Sequence, residues 1–252
     1  MCSEDFSPLG RKQGLKSLLH TSFIMGNLPD IISTHLENPN HQLMSQYFSD
    51  NSSPAAEEKF NIPQEAEVFI FPASFAQARL WFLNQLASGN PFYNVSTAVR
   101  LTGRLNLTAL EQTFNEIVRR HETLRTTFVL MEGQPMQAIA PTLTIPLPLI
   151  DLRHLSTTER ETQARQLTTA EAQCRFNLTT APLLRVKLLQ LDEAEYLLLI
   201  NLHHIVADGW SIGVLIRELG ALYTAFACKD VASESSTLLP ELPIQYADFA
   251  QW

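Results

Sequence analysis

The sequence predicts an α/β protein, a two-layer sandwich in which helices pack against a sheet. Residues 183–191 and 196–202 are short apolar runs with the length and branched composition of buried strands, and they flank a polar connection. Other segments place apolar residues at spacings of three and four behind a polar capping residue, which is typical of amphipathic helices. The chain has 252 residues, 45% of them hydrophobic and 17% charged, so it is long enough to bury a core.

The first elements are predicted from short apolar runs and from a helix cap. Residues 68–71 are expected to form a strand, and Ser74 with Gln77 makes a capping box for a helix over residues 75–86. Residues 95–101 have the composition of a second strand.

A second capped helix and a hairpin follow. Thr108 with Glu111 is expected to cap a helix, whose apolar face consists of Leu110, Phe114, Ile117 and Val118. Residues 125–131 and 135–140 have strand composition on either side of Gly133, which predicts a hairpin.

The last two predicted helices differ in polarity. Ser156 with Glu159 starts a polar, mostly exposed helix that runs to about Ala172. The other follows Gly209, and its apolar stripe consists of Ile212, Leu215, Ile216, Leu219, Leu222, Tyr223 and Phe226. That stripe predicts a helix packed on the core.

Residues 203–209, His-His-Ile-Val-Ala-Asp-Gly, are the most informative stretch, because they place two histidines, a carboxylate and a glycine directly after an apolar strand. Successive side chains of a strand point to opposite faces. One imidazole is therefore expected to face a substrate channel and the other the interior. Asp208 and Gly209 end the strand, and the glycine serves both as a turn residue and as a place where a ligand approaches the backbone.

The residues by themselves leave simpler interpretations of this stretch open. A histidine at a strand end is often a core residue, and a His-His pair can belong to a metal site. The metal site is the weaker interpretation, because the other histidines and the cysteines show no ligand spacing and no further partner lies near Asp208 in the sequence. We expect no bound metal.

Charge and cysteine usage narrow the class of protein. The net charge is −8, and Lys and Arg are not clustered, so nucleic acid is not expected as a partner. No apolar run reaches the length of about 18 residues needed to cross a membrane, and no signal peptide is recognised. Cys2, Cys174 and Cys228 are few and far apart, which favours free thiols and a cytoplasmic location.

Residues 1–63 differ in composition from the rest of the chain, with scattered Ser, Asn, Pro and His and only short apolar stretches. They are expected to be a poorly ordered extension or linker, although residues 15–25 have the pattern of a short amphipathic helix. Residues 64–252 are expected to be the folded domain.

Four segments in order carry a resemblance to a known family: residues 74–83, residues 120–128, residues 203–209 and residues 246–252. Their sequences are Ser-Phe-Ala-Gln-Ala-Arg-Leu-Trp-Phe-Leu, Arg-His-Glu-Thr-Leu-Arg-Thr-Thr-Phe, His-His-Ile-Val-Ala-Asp-Gly and Tyr-Ala-Asp-Phe-Ala-Gln-Trp. In this order they resemble the signature motifs of the condensation domains of nonribosomal peptide synthetases, which belong to the chloramphenicol acetyltransferase-like acyltransferases.

The resemblance implies that the chain is one lobe of a larger domain. Condensation domains are pseudo-dimers of two similar lobes, and this chain resembles the N-terminal lobe, truncated within the fourth motif. The active site of the family lies in a tunnel between the lobes. We therefore expect activity to require the missing C-terminal lobe.

The resemblance also implies the chemistry. The family forms an amide bond between acyl or aminoacyl groups held as thioesters on the phosphopantetheine arms of carrier domains. His204 is the expected catalytic residue, and Gly209 is expected to bring its backbone N–H to the oxyanion. No cofactor is expected on this chain; the expected partners are donor and acceptor carrier domains, the C-terminal lobe and a downstream adenylation domain.

In the family the motif aspartate faces away from the substrate and pairs with an arginine of the second motif. The resemblance therefore implies that Asp208 is a buried structural carboxylate, with Arg125 as the first choice of partner and Arg120 as the alternative. His203 is expected to support the loop through a hydrogen bond.

Two alternatives remain. One is a stand-alone CoA-dependent acyltransferase of the same superfamily, whose members include trimers. The other is a catalytically silent fragment that docks a carrier protein.

Overall fold

The computed structural model of the chain describes residues 68–86, 91–228 and 239–252. The helices of these residues are α1 Phe75–Leu86, α2 Leu107–Arg120, α3 Thr157–Gln173, α4 Gly209–Ala227 and α5 Tyr246–Gln251. The strands are β1 Phe69–Pro72, β2 Asn94–Thr102, β3 Thr126–Met131, β4 Gln134–Ile139, β5 Leu149–Asp151, β6 Leu184–Asp192 and β7 Glu195–His203. The predicted extension over residues 1–63 lies outside the described residues.

The strands form two sheets. The first has the order β1-β4-β3 and is antiparallel, with the predicted hairpin β3-β4 at one side. The second has the order β2-β7-β6-β5, in which β7 pairs antiparallel with both of its neighbours and β5 runs parallel to β6. The predicted pairing of the two apolar runs is therefore confirmed as β6-β7.

Helices cover both faces of the second sheet. Leu198, Ile200 and Leu202 of β7 belong to the main core, which they share with the apolar faces of α2 and α4. Leu197 and Leu199 point the opposite way, into a smaller apolar cluster that contains Ala164 of α3. The predicted α/β class is confirmed, and α3 adds a helical layer on the face that the two-layer prediction left uncovered.

The start of α2 differs from the prediction. The helix begins at Leu107, and Asn106 is its N-cap, with its side-chain oxygen accepting a hydrogen bond from the amide of Ala109 at 3.0 Å. Thr108 therefore lies in the first turn, so its predicted capping role is wrong. Asn106 precedes the first helical residue and can reach a free amide of the first turn, which Thr108 cannot.

The two predicted capping boxes before α1 and α3 are confirmed. The amide of Ser74 donates to Oε1 of Gln77 at 2.9 Å, and the amide of Ser156 donates to Oε2 of Glu159 at 3.1 Å. Among the helices of the described residues, none is both long enough and apolar enough to cross a membrane.

Candidate active site

Residues 203–209 lie at the junction of β7 and α4. Strand β7 ends at His203, and α4 begins at Gly209 with Asp208 as its N-cap. The predicted order of strand, loop and helix is therefore confirmed. The junction is placed rigidly because β7 is hydrogen-bonded on both sides and α4 packs on the core.

The two histidines have opposite environments, as the alternation of a strand predicts. His203 is 1% exposed, and its ring lies 6.2 Å from the ring of Tyr93 and 6.1 Å from that of Phe176, measured between centroids. Burial, with a smaller contribution from the neighbouring His204, lowers the pKa of His203 to about 4. His203 is therefore neutral at neutral pH, whereas the side chain of His204 is exposed to solvent.

Hydrogen bonds assign a different tautomer to each ring. Nδ1 of His204 lies 2.9 Å from the carbonyl oxygen of Ala207, which can only accept, so this nitrogen carries a proton, and in the neutral ring Nε2 has the lone pair. Nδ1 of His203 accepts from the amide of Ile205 at 3.1 Å, so its proton is on Nε2. The amide of His204 donates to the carbonyl of Tyr93 at 2.7 Å, which ties the loop to the start of β2.

Side chains from two distant segments hold the carbonyls of the loop. Nε2 of Gln77 donates to Oε1 of Gln137 at 3.0 Å and, more weakly, to the carbonyl of Ile205 at 3.5 Å. The hydroxyl of Thr123 donates to the carbonyl of Val206 at 3.3 Å. Both residues lie in segments with recognised motifs, but the sequence pattern indicates only a helix cap for Gln77 and no role for Thr123.

Asp208 is the N-cap of α4 and not a buried ion-pair partner. Its exposed carboxylate accepts from the amide of Ser211 at 2.8 Å and from the hydroxyl of Ser211 at 2.7 Å. These hydrogen bonds hold the pKa of Asp208 below its usual range. The expected ion pair with Arg125 or Arg120 is therefore wrong for this structure, because the local helix amide satisfies the carboxylate.

The two arginines of the second motif have other partners. Arg125 donates to the carbonyl of Ala140 and to Oε1 of Glu122 at 3.3 Å. Arg120, 4% exposed, pairs with Glu218 of α4 at 3.4 Å.

Arg120 also donates to the carbonyls of Leu239 and Pro240, at 3.2 and 3.0 Å. It therefore ties α2 both to α4 and to the segment that leads into α5. Both arginines support structure near the site, although neither does so through Asp208.

Gly209 occupies the first position of α4 in an ordinary backbone conformation. Its φ is not positive, since the positive-φ glycines of the described residues are Gly103 and Gly133, and a Cβ at Gly209 would meet no atom within 4 Å. Its predicted role as a turn residue is therefore wrong. The open space beside Gly209 is compatible with the other prediction, that a ligand approaches the backbone there. The first amides of a helix also have no intrahelical acceptor, so they are free to donate to such a ligand.

A cleft of about 170 Å³ lies beside the motif, between the C-terminal part of α2 and the start of α4. Its walls include Ile117, Val206, Ala207 and Trp210, and Trp210 is 80% exposed. His204 does not line this cleft. Among the described residues, no group of three or more His, Cys, Asp or Glu side chains could hold a metal ion.

Comparison with known proteins shows the family. The model of the condensation domain matches residues 69–252, and the chain belongs to this family. One of the linear gramicidin synthase proteins of Brevibacillus parabrevis is 47% identical over 181 residues, which cover 72% of this chain and 4% of that protein. The chain therefore spans a few per cent of this relative.

Solved structures confirm the chloramphenicol acetyltransferase-like fold. The X-domain in its complex with OxyB from teicoplanin biosynthesis is 28% identical, with a TM-score of 0.59, and the match covers 79% of this chain and 40% of that one. The starter condensation domain of rhizomide synthetase RzmA has a TM-score of 0.58 at 24% identity, covering 63% of this chain and 40% of that one. In each case the matched region is less than half of the solved chain.

Proposed function

We propose that this chain is the histidine-bearing lobe of a domain that forms an amide bond between two groups held as thioesters on carrier proteins. The observation that carries the proposal is the hydrogen bond from Nδ1 of the exposed His204 to the carbonyl of Ala207, which leaves Nε2 of the neutral ring with a free lone pair. Such an imidazole can accept a proton or orient an amine without first losing a proton of its own.

The reaction uses the amine and the thioester of the two substrates, the imidazole of His204 and the backbone N–H of Gly209. The amine nitrogen of the acceptor attacks the thioester carbon of the donor, and the carbonyl π electrons move to oxygen. When the oxyanion collapses, the carbon–sulfur bond breaks and the thiolate leaves. Nε2 of His204 takes the proton from the nitrogen and returns it to the sulfur, and the backbone N–H of Gly209 stabilises the oxyanion.

The partners follow from this chemistry. The phosphopantetheine arms belong to the substrates and are carried by donor and acceptor carrier domains. A second lobe would close the opposite side of the site, which fits the finding that the solved neighbours are more than twice as long as the matched region. A cytoplasmic synthetase with a downstream adenylation domain would supply the aminoacyl groups.

The test is a chimera in which residues 69–252 replace the corresponding segment of the linear gramicidin synthase that is 47% identical. Dipeptide formation from loaded carrier domains is measured in single turnover. His204→Ala is expected to lower the rate by about 100-fold or more, since this is the usual contribution of a general base. His154→Ala, at another exposed histidine, is the control and should leave the rate unchanged. Equal rates for His204→Ala and the parent chimera would refute the catalytic role.

The 252-residue chain alone separates the proposal from the stand-alone acyltransferase. We expect that the chain alone releases no thiol when it is mixed with acetyl-CoA and an amine acceptor. Steady thiol release by a trimer in solution, abolished by His204→Ala, would instead support the CoA-dependent enzyme.

A further inference from the structure

An ion-pair cluster outside the motif lies against the segment between α3 and β6. Glu171, near the end of α3, is 4% exposed, and its Oε1 accepts from Nε of Arg185 at 2.6 Å while its Oε2 lies 2.5 Å from Nζ of Lys187. Burial by itself would raise the pKa of Glu171, but the two cations outweigh it and hold that pKa below its usual range. Glu171 is therefore ionised, and it anchors two neighbouring side chains of β6.

Arg185 does more than neutralise this carboxylate. Its Nη2 donates to the carbonyl of Cys174 at 2.6 Å, and its Nη1 donates to the carbonyl of Arg175 at 3.2 Å. Its guanidinium carbon also lies 3.7 Å from the centre of the Phe176 ring. One planar group thus holds the backbone of the segment and stacks on the ring that follows it, which a lysine at this position cannot do.

Phe176 passes this restraint on to the motif. Its ring, which is buried, meets the ring of His203 edge-on, with an interplanar angle of 81°. Among the described residues, Nε2 of His203 has no hydrogen-bond acceptor, so the aromatic contacts and the single bond from Ile205 orient the ring. Loss of the Phe176 contact would leave His203 held mainly from the side of Tyr93.

A second clamp acts on the same segment from β2. Nδ2 of Asn94 donates to the carbonyl of Ala172 at 2.7 Å and to that of Cys174 at 2.9 Å. Asn94 is paired in register with His203 across the β2-β7 ladder. The segment is thus held from β2 and from β6 at the level of the motif.

We propose that Arg185 is a positioning residue for His204: it holds Phe176 against the buried His203 and thereby fixes the loop that carries the catalytic imidazole. The link to catalysis rests on the proposed function, whereas the link to the geometry of the loop does not. Lys187 is the matched comparison, because it pairs with the same carboxylate but, within the part of the chain that the structure describes, bonds neither to the segment nor to Phe176.

The first experiment measures the protonation and the tautomer of the two imidazoles by NMR and does not require enzymatic turnover. The full chain is labelled with nitrogen-15, and the ring nitrogens of His203 and His204 are assigned with His203→Gln and His204→Gln variants. In the parent chain we expect His203 to titrate near 4 with its proton on Nε2, and His204 to carry its proton on Nδ1 when neutral. The charged or titratable groups on the elements around His203 include Tyr93, His204 and, beyond Phe176, Arg185 with its partner Glu171.

Arg185→Lys keeps the charge beside Glu171 but removes the planar stack. We expect the pKa of His203 to rise towards 6.5 as water reaches its ring, and we expect His204 to lose its preference for the Nδ1 proton. Lys187→Met should change neither signal. Unchanged signals in a folded Arg185→Lys variant, or equal changes in both variants, would overturn the proposal.

Phe176→Leu provides a second route if Arg185→Lys does not fold. It keeps an apolar side chain but removes the ring, and the same changes in both imidazoles are expected. In the gramicidin synthase chimera, Arg185→Lys should lower the rate about 10-fold or more, since small misplacements of a catalytic group are costly, and Lys187→Met should not. If His204→Ala does not change the rate of the chimera, the proposed function is refuted, but the NMR test of the two imidazoles remains valid.

Discussion

His203 and His204 are adjacent in the chain, but the structure uses them in opposite ways. His203 is buried between two aromatic rings and has its proton on Nε2, while His204 is exposed and has its proton on Nδ1. The same division continues along the loop, where Ile205 to Ala207 are buried and Asp208 and Gly209 are exposed. The buried face thus serves stability, and the exposed face is left for chemistry.

The largest expected effect concerns the buried imidazole and pH. The folded chain lowers the pKa of His203 from 6.5 to about 4, so folding favours the neutral ring. The resulting stabilisation is complete above pH 6.5 and is lost as the pH falls towards 4, with a total on the order of 3 kcal/mol. Urea unfolding of the chain at several pH values measures it.

His203→Gln is the control for this loss of stability, because it removes the titrating ring. Glu171 and Glu218 also have lowered pKa values, but their protonation weakens the fold only around and below their ordinary value of 4.5. The same loss between pH 6.5 and 5 in His203→Gln would contradict the assignment to His203.

The next effect concerns Gln77, which lies in the first motif segment, residues 74–83, and hydrogen-bonds to the buried part of the loop. Gln77→Leu removes the partner of the Ser74 amide, of Oε1 of Gln137 and of the Ile205 carbonyl, and it is expected to cost about 2 kcal/mol of unfolding free energy. Urea unfolding measures the loss, and Gln112→Leu on the exposed side of α2 is the control. A cost equal to that of Gln112→Leu would show that this buried contact does not stabilise the loop.

Substitution of Asp208 tests whether this residue is an exposed helix cap or a buried ion-pair partner. As an N-cap it should contribute about 1 kcal/mol, so Asp208→Ala should lower stability by that amount and Asp208→Asn by less. Thermal or urea unfolding distinguishes this from a buried ion pair, whose loss costs about 3 to 5 kcal/mol. A loss in that range would instead support an ion pair between Asp208 and an arginine.

The smallest effect on stability is expected at the exposed end. Gly209→Ala should change the unfolding free energy by no more than about 0.5 kcal/mol, because an added Cβ meets no atom within 4 Å. In the gramicidin synthase chimera the same methyl group should slow dipeptide formation by blocking the approach of the substrate to the backbone. Gly213→Ala, equally open and one turn along α4, is the control and should leave the rate unchanged.

Local patterns carried most of the correct predictions. The opposite orientations of His203 and His204 follow from the two-residue repeat of a strand, and the caps at Ser74 and Ser156 follow from a spacing of three residues. The capping pattern alone does not locate the start of α2, because both Asn106 and Thr108 are suitable capping residues and only the course of the backbone selects Asn106.

Long-range partners were not predictable in the same way. Arg120 and Arg125 are equally plausible partners for Asp208 by charge. In the structure, however, Arg120 pairs with Glu218, Arg125 donates to the carbonyl of Ala140, and Asp208 accepts from Ser211. The bond from Gln77 to Ile205 joins residues 128 positions apart, and no local pattern indicates it. Such contacts depend on how strands and helices pack, which side-chain spacing does not specify.

The sequence by itself determined the α/β class, the order of the strands and helices around the site, and the four motif segments that resemble the condensation domain family. It did so because secondary structure and motif identity depend on residues a few positions apart. The tertiary structure decided the tautomer of each histidine, the partner of Asp208 and the link from Arg185 through Phe176 to His203. These depend on distances between residues far apart in the chain, which are set only when the sheet and the helices pack together.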